Sequence, residues 1–472
     1  MAGMSSRIAL TLNGQPRTLP ADTPPGMTLL DWLRGPAPRG AGLTGTKEGC
    51  AEGDCGACTV VIEAADGART PVNACLALLG QMHGRALRTV EGLVAADGAP
   101  HPVQRAMAEN DATQCGFCTP GIVMSAWAHS RCGGAAHEAL AGNLCRCTGY
   151  RPILGVFAAL EDDGAPAAPA PALEGGSEFA VPGQVFHAPA TLEAALTLRA
   201  AHPEAWLLAG GTDLGLRVSE HRERPARILS LGAVPELAET RLAPGLLTVG
   251  AALPYARLLD LLARAPEMAP LAAHLRRLGS RQIRGLGTLG GNLGTASPIG
   301  DTLPPLLALG VRVVLGSARA GERVLDLAEF ITGYRQTALA ADEIILRVEI
   351  PRPPEGAVFA CEKLSKRHDQ DISAVAAGFL LRLEGGVVAE ARLAFGGMAA
   401  TVARAPRAEA ALAGQPVTEE AFARAAQALA EDFAPLSDWR AGAEYRLHSA
   451  QGLLRRLHWR IARPDLALEV QA

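Results

Sequence analysis

Apolar positions along this chain come in short runs separated by turn residues, and their period changes from region to region. Up to about residue 90, the runs 8–12 (closed by an Asn13-Gly14 turn) and 59–63 read as strands, with one helix capped at Thr28 between them. That mixture predicts a small β-grasp domain over 1–90. Residues 101–155 change to helical periods and predict a helical domain over 91–160. The run 161–178 is dominated by Ala, Pro and Gly and lacks the hydrophobic variety to build a core, which predicts a linker. Beyond it, strand-like runs at 206–209, 227–231 and 247–250 alternate with helical stretches at 191–201 and 255–264, predicting a mixed α/β domain over 179–352. After Pro351, Pro353 and Pro354, strand-like runs at 373–383 and 387–395 precede helical patterns at 418–433 and 440–463, predicting an α+β domain over 353–472. The fold class is therefore α/β and α+β multidomain, with no fixed-period repeat.

Composition narrows the function classes. Hydrophobic residues make up 49% of the 472 but aromatics only 4%, so the interior is built from small aliphatic side chains. A net charge of −4 argues against nucleic acid as a partner. No uninterrupted apolar run reaches the roughly 18 residues of a membrane span. The first seven residues have neither an apolar signal core nor twin arginines, which predicts residence in the cytoplasm.

Eight of the ten cysteines fall into two groups of different spacing. Cys50, Cys55, Cys58 and Cys75 follow C-x4-C-x2-C and then a distant cysteine, the plant-type ferredoxin spacing for a 2Fe-2S cluster. Glycines at 45, 49, 53 and 56 let the loop wrap closely and turn its amides inward. Two other readings of such cysteines exist. A disulfide framework requires an oxidising compartment, which nothing in the chain indicates, and a zinc ribbon would use two C-x2-C pairs. The second group, Cys115, Cys118, Cys145 and Cys147, runs C-x2-C, a long gap and C-x-C, and alone is ambiguous between iron–sulfur and zinc. Thr119 is placed to cap a helix beginning at Pro120, which puts Cys118 beside an amide-rich terminus that favours thiolate. Cys132 and Cys361 match neither pattern and read as ordinary thiols.

Two glycine-rich segments, 207–213 and 289–301, each end in a hydroxyl and a carboxylate: Thr212 with Asp213, and Ser297 with Asp301. Such glycines commonly mark plain turns, and neither segment is the G-x-G-x-x-G fingerprint. Their pairing is what raises a phosphate-binding reading, since amides at glycine approach a pyrophosphate without a Cβ in the way. A third segment, 363–371, is dense in charge, and its plain reading is a solvated loop.

The two cysteine motifs in this order, together with Leu207-Leu208-Ala209-Gly210-Gly211-Thr212-Asp213, Leu289-Gly290-Gly291-Asn292 through Asp301, and Lys363 through Ser373, resemble the molybdenum hydroxylase family. That family includes xanthine dehydrogenases, aldehyde oxidases and carbon monoxide dehydrogenases. The resemblance covers essentially the whole chain and is strongest to the small subunit of a bacterial xanthine dehydrogenase. It implies a ferredoxin-like 2Fe-2S domain over 1–90, a helical 2Fe-2S domain over 91–160 and FAD over 179–352. By the same resemblance Gly210, Gly211, Thr212 and Asp213 line the flavin phosphates. Thr288, Gly291, Asn292, Thr295 and Asp301 form a second FAD segment, Lys363 stands beside the isoalloxazine, and Gln114 faces a molybdopterin. Gly294 departs from the larger aliphatic residue common in relatives.

The resemblance further implies that purine hydroxylation has no catalytic residue on this chain. A large molybdopterin-binding subunit oxidises hypoxanthine or xanthine, in a heterotetramer of two small and two large subunits, and electrons pass through both clusters to FAD and then NAD. Alternatives are the iron–sulfur and flavin part of an aldehyde oxidase-like or carbon monoxide dehydrogenase-like enzyme and, in another class, a non-catalytic ferredoxin-type carrier or a zinc-stabilised module. The substrate itself is not legible, because its pocket belongs to the partner.

Overall fold

A computed structural model describes residues 6–94, 98–173, 175–466 and 468 of the chain. The chain divides into two compact units: one comprises 1–237, 254–256 and 279–288, the other 238–253, 257–278 and 289–472.

The first unit opens with a five-stranded sheet in the order Gln15–Thr18, Ala9–Leu12, Ala86–Arg88, Thr59–Glu63, Arg69–Asn73. Asn13 and Gly14, with φ of 53° and 77°, close the first hairpin as a two-residue turn with positive φ at both positions requires. Ala9–Leu12 pairs parallel to Ala86–Arg88, while the other pairings are antiparallel. The helix Leu29–Arg34 begins where expected, with the Thr28 hydroxyl accepting from the Asp31 amide at 3.0 Å.

Four helices follow, Pro102–Glu109, Thr119–Cys132, Ala136–Leu140 and Arg151–Ala159, around a core that includes Ile122, Trp127, Ile153 and Phe157. One cap differs from expectation. Cys118, not Thr119, occupies the cap of the second helix and makes no side-chain cap bond, while the Thr119 hydroxyl pairs with that of Thr113 at 2.6 Å.

Among its described residues the Ala/Pro-rich segment after 160 has no helix or strand before Ser177, yet it is fastened at several points. Asp163 accepts from Trp127 Nε1 at 2.7 Å and pairs with His101 at 2.9 Å and with the buried Arg69, whose guanidinium stacks 3.8 Å from the Trp127 ring. Arg131 grips Asp162 at 2.9 Å, and Pro169 O accepts from Thr11 Oγ1 at 2.6 Å. These charged hydrogen bonds hold the Asp163 carboxyl well below its ordinary range against the opposing effect of burial.

A second sheet, ordered Ser177–Val181, Gln184–Ala188, Arg227–Ser230, Trp206–Leu208, is parallel over its last three strands, with the helices Leu192–Ala201 and Leu214–Ser219 in the connections. One hydrophobic cluster joins it to the first sheet: Leu10, Cys58, Val72, Cys75, Phe186, Leu208 and Ile228 are all buried in it.

The second unit holds an antiparallel sheet ordered Thr240–Ala243, Leu246–Gly250, Glu343–Pro351, Arg312–Ser317, Gly321–Asp326. It also holds a four-stranded antiparallel sheet of Val358–Leu364, Val375–Glu384, Val387–Gly396 and Ala403–Arg404. The helices Pro406–Leu412, Glu419–Asp432 and Ala443–Ala462 follow. Thr418 caps the middle one, accepting from the Ala421 amide at 3.3 Å. The strand Val358–Leu364 and the helix Pro406–Leu412 escaped the periodicity: the first mixes Glu362 and Lys363 into a buried strand, and the second is only about two Ala-rich turns. Among the described residues no helix is long and apolar enough to cross a membrane.

Phe395 is wholly buried in this unit and meets Phe379 and Phe433 edge to face, with centroids 5.5 Å apart in each pair. Phe395→Ala should destabilise the unit by about 3–5 kcal/mol. Denaturant unfolding followed by circular dichroism measures it; a loss under about 1 kcal/mol would mean that this core is not packed as described.

Candidate redox centres

The first cysteine group lies on the loop entering the strand Thr59–Glu63 and on the turn after Arg69–Asn73. Positive φ at Ala51, Gly53 and Gly56 winds the loop so that amides face its centre. Cys55 N–H donates to Cys50 Sγ at 3.3 Å, and the buried Cys58 and Cys75 sulfurs lie 3.3 Å apart. Asn73 Nδ2 approaches Cys58 Sγ at 3.8 Å. The hydrogen bond from the Cys55 thiol, with the amides of Glu52, Cys55 and Asp54, draws Cys50 down to about 5 against the cost of burial. Cys58 is lowered in the same way, by Cys75 first. Cys55 and Cys75 are raised because each keeps the proton that its neighbour accepts.

The second group joins the loop at Cys115, the helix cap at Cys118 and the turn holding Cys145 and Cys147. Its pairs cross the two motifs: Cys115 hydrogen-bonds Cys147, and Cys118 hydrogen-bonds Cys145. Cys115 is lowered by the Phe117 amide and then by the Cys147 thiol. Burial and the hydrogen bond to Cys145 push Cys118 up to about 12. Burial also opposes ionisation of Cys145, but the Thr148 hydroxyl at 3.2 Å and nearby amides outweigh it and lower the thiol. Tyr150, at φ 69°, turns its hydroxyl back to accept from the Cys145 amide at 2.8 Å.

Among the described residues no three metal-ligating side chains close on a single point; the eight sulfurs come in pairs. Pairs that share one proton suit a group containing two metal atoms, each taking one pair of thiolates, so the donor sets fit 2Fe-2S clusters. The groups differ in exposure. Cys58 and Cys75 are buried, whereas Cys115 and Cys147 are exposed beside Phe117 (48% exposed), Leu144 (63%) and Gln114. The two loops also touch: Leu144 N–H donates to Cys55 O at 2.9 Å.

The first flavin segment is a strand, a turn and a helix: Trp206–Leu208, then Gly210, Gly211, Thr212 and Asp213, then Leu214–Ser219. A Cβ at Gly210 would stand 1.8 Å from Leu286 O, so the turn packs backbone to backbone on the segment leading to Thr288. Gln81 Nε2 donates to Ala209 O and Gly210 O at 3.3 Å. In the second unit Gly291, Asn292 and Thr295 lie on the helix Leu289–Thr295, where Thr295 Oγ1 donates to Gly291 O at 3.0 Å and Asn292 accepts from Thr302. Asp301 is buried, ion-paired with Lys363 and bonded to Ser373 Oγ at 2.5 Å. Its carbonyl accepts from His274 Nε2 at 2.8 Å, and burial draws that imidazole below its ordinary range. Lys363 thus belongs to a buried strand and not to the charged loop after it, where Arg367 N and Ile372 N donate to the Asp371 carboxylate at 2.8 and 3.1 Å.

Four family models match the chain: a 2Fe-2S iron-sulfur cluster binding domain at 10–79 and a [2Fe-2S] binding domain at 89–158; an FAD binding domain in molybdopterin dehydrogenase at 178–353 and a CO dehydrogenase flavoprotein C-terminal domain at 360–461. Quinoline 2-oxidoreductase from Pseudomonas putida 86 is 30% identical with a TM-score of 0.54, over 58% of this chain and 95% of that one. The chain belongs to the molybdenum hydroxylase family. Other similar proteins are the xanthine dehydrogenase of Drosophila subobscura, 33% identical over 90% of this chain and 37% of that protein, and aldehyde oxidase 2 of Cavia porcellus, 33% identical over 88% and 37%. Carbon monoxide dehydrogenase from Hydrogenophaga pseudoflava is 28% identical, with a TM-score of 0.54 over 57% of this chain and 94% of that one. The chain spans about a third of the length of the curated relatives it matches. It carries the iron–sulfur and FAD region of a molybdenum hydroxylase, with one cysteine group inside each 2Fe-2S match and 210–213 and 288–301 inside the FAD match.

Several residues of this molybdenum hydroxylase site escaped sequence reasoning. Thr148 and Tyr150 follow the C-x-C pair closely in sequence, but their hydrogen bonds to Cys145 depend on a left-handed turn. Gln282, between Arg281 and Ile283, carried no local signal at all. The partition of ligands has a direct check: Cys55→Ser should abolish one of two reduced-cluster signals in electron paramagnetic resonance and leave the other. Loss of both from folded protein would show the partition to be wrong.

Proposed function

We propose that this chain is the electron-transfer subunit of a xanthine dehydrogenase. In this reading Cys50, Cys55, Cys58 and Cys75 hold one 2Fe-2S cluster, and Cys115, Cys118, Cys145 and Cys147 hold the other. FAD takes its phosphates to Gly210, Gly211, Thr212 and Asp213; Thr288, Gly291, Asn292, Thr295 and Asp301 form its second segment, and Lys363 stands beside the isoalloxazine. A molybdopterin-bearing partner oxidises hypoxanthine or xanthine, two copies of each subunit assemble, NAD is the final acceptor, and the complex is cytoplasmic.

The observation that carries the proposal is the gradient of exposure along two touching cysteine loops. The Cys115 and Cys147 end is open and rimmed by Phe117 and Leu144, as a surface that meets a partner would be, while Cys58 and Cys75 are sealed in the core. When bound, the clusters take up single electrons and FAD a pair. The chain's own residues bind and tune. Paired thiols and inward amides hold negative charge on sulfur, and the buried Lys363–Asp301 pair fixes a charged dipole, with Ser373 Oγ on its carboxylate and His274 on the Asp301 main-chain carbonyl.

A second reading, the same region of an aldehyde oxidase-like or carbon monoxide dehydrogenase-like enzyme, is supported by the similarity to aldehyde oxidase 2 and to carbon monoxide dehydrogenase. One experiment separates them. Loaded with its cofactors but without a partner, the chain should oxidise NADH with an artificial dye, and xanthine oxidation should appear only when the molybdopterin-bearing partner is added. Xanthine turnover by the chain alone would contradict the division of labour. Aldehyde turnover in place of xanthine turnover by the pair would favour the second reading.

A further inference from the structure

The helix Arg281–Leu286 lies between the FAD-binding segments in sequence, yet its polar side chains reach the two cysteine loops. Gln282 is 1% exposed. Its Nε2 lies 3.0 Å from Asn143 Oδ1, 3.1 Å from Thr59 Oγ1, 3.2 Å from Ser125 Oγ and 3.5 Å from Gly142 O. Thr59 follows Cys58, Asn143 stands two residues before Cys145, and Ser125 is on the helix capped by Cys118. The same set closes on itself: Ser125 Oγ donates to Asn143 Oδ1 at 2.6 Å, and Asn143 Nδ2 donates at 3.1 Å to the carbonyl of Gly56, between Cys55 and Cys58.

Flanking residues also anchor the helix. Arg284 pairs with Glu138 at 2.8 Å, and Arg281 donates to Gly133 O at 3.0 Å. Gln282 is therefore not alone in docking the helix. A leucine would fill much of its space but would take one donor from each of the Asn143, Thr59 and Ser125 oxygens in a dry junction, leaving Asn143 Oδ1 with Ser125 and Thr59 Oγ1 with Asn143 Nδ2 at 3.4 Å, and the loss of buried hydrogen bonds favours rearrangement. What would move is the contact one residue away, Leu144 N–H to Cys55 O at 2.9 Å.

We propose that Gln282 is a positioning residue for electron passage between the two cysteine groups, its amide setting the Cys55–Cys58 loop and the Asn143–Cys145 turn in register. The proposal rests on reading those groups as 2Fe-2S clusters. In the step served, one electron leaves the second cluster, which is oxidised, and reduces the first, and no bond forms or breaks.

The test compares the parent chain with Gln282→Leu, and with Arg281→Ala as a control for helix docking, all loaded with both clusters and FAD. The readout is the magnetic splitting between the two fully reduced clusters in low-temperature electron paramagnetic resonance, which depends on their separation and orientation and not on stability. Gln282→Leu should keep its iron and both signals but lose or shift the splitting, while Arg281→Ala keeps it. If the leucine variant does not fold, Ser125→Ala, which removes one partner of the same amide, should give a smaller shift. Parent-like splitting in the folded Gln282 variant, or in Ser125→Ala where that variant stands in, would overturn the proposal even if the melting temperature fell. A parent with no pair of interacting signals would instead defeat the cluster reading on which it rests.

Discussion

Much of the first unit depends on one backbone contact, the Leu144 amide donating to the Cys55 carbonyl. It brings a turn of the helical domain onto a loop of the β-grasp sheet, and both partners adjoin sulfur ligands. The approach is close enough that a Cβ at Gly56 would stand 2.1 Å from Gly142 O, and one at Gly121 2.1 Å from Gly56 O. Gly56 already needs its φ of 67°, so any other residue there would be strained as well as crowded. Around this contact the chain places its buried polar atoms, Asn143, Ser125, Thr59 and Gln282, in one network. Such a network specifies a single arrangement because each member left unpaired in a dry interior is costly.

Electrostatics follow from the same geometry. Each close pair of sulfurs shares a proton, so one member is lowered and the other raised, and inward amides add to the lowering. Metal binding replaces that proton, which makes the loops receptive to iron without a separate cationic side chain. The second unit holds a buried Lys363–Asp301 pair, whose desolvation cost is offset by their mutual attraction and by the Ser373 hydroxyl on the carboxylate.

The fold was legible where local physics decides it: the Asn13-Gly14 hairpin, the Thr28 cap, and the strands that alternate or run apolar form where periodicity places them. The two cysteine groups were legible because ligand spacing is a local property. Which sulfur pairs with which was not, since Cys115 meets Cys147 across the fold. Lys363 read as part of a charged loop because its neighbours in sequence are charged, whereas its neighbours in space are Asp301 and a buried strand. Gln282 was invisible for the same reason: its partners are about 140 to 220 residues away in sequence.

The central claim is that the eight sulfurs hold two separate two-iron clusters. Iron and acid-labile sulfide analysis of protein purified without oxygen tests it most directly. The account predicts about four irons and four sulfides per chain, as two clusters of two irons require. Zinc in place of iron, or half that iron content in fully folded protein, would contradict it.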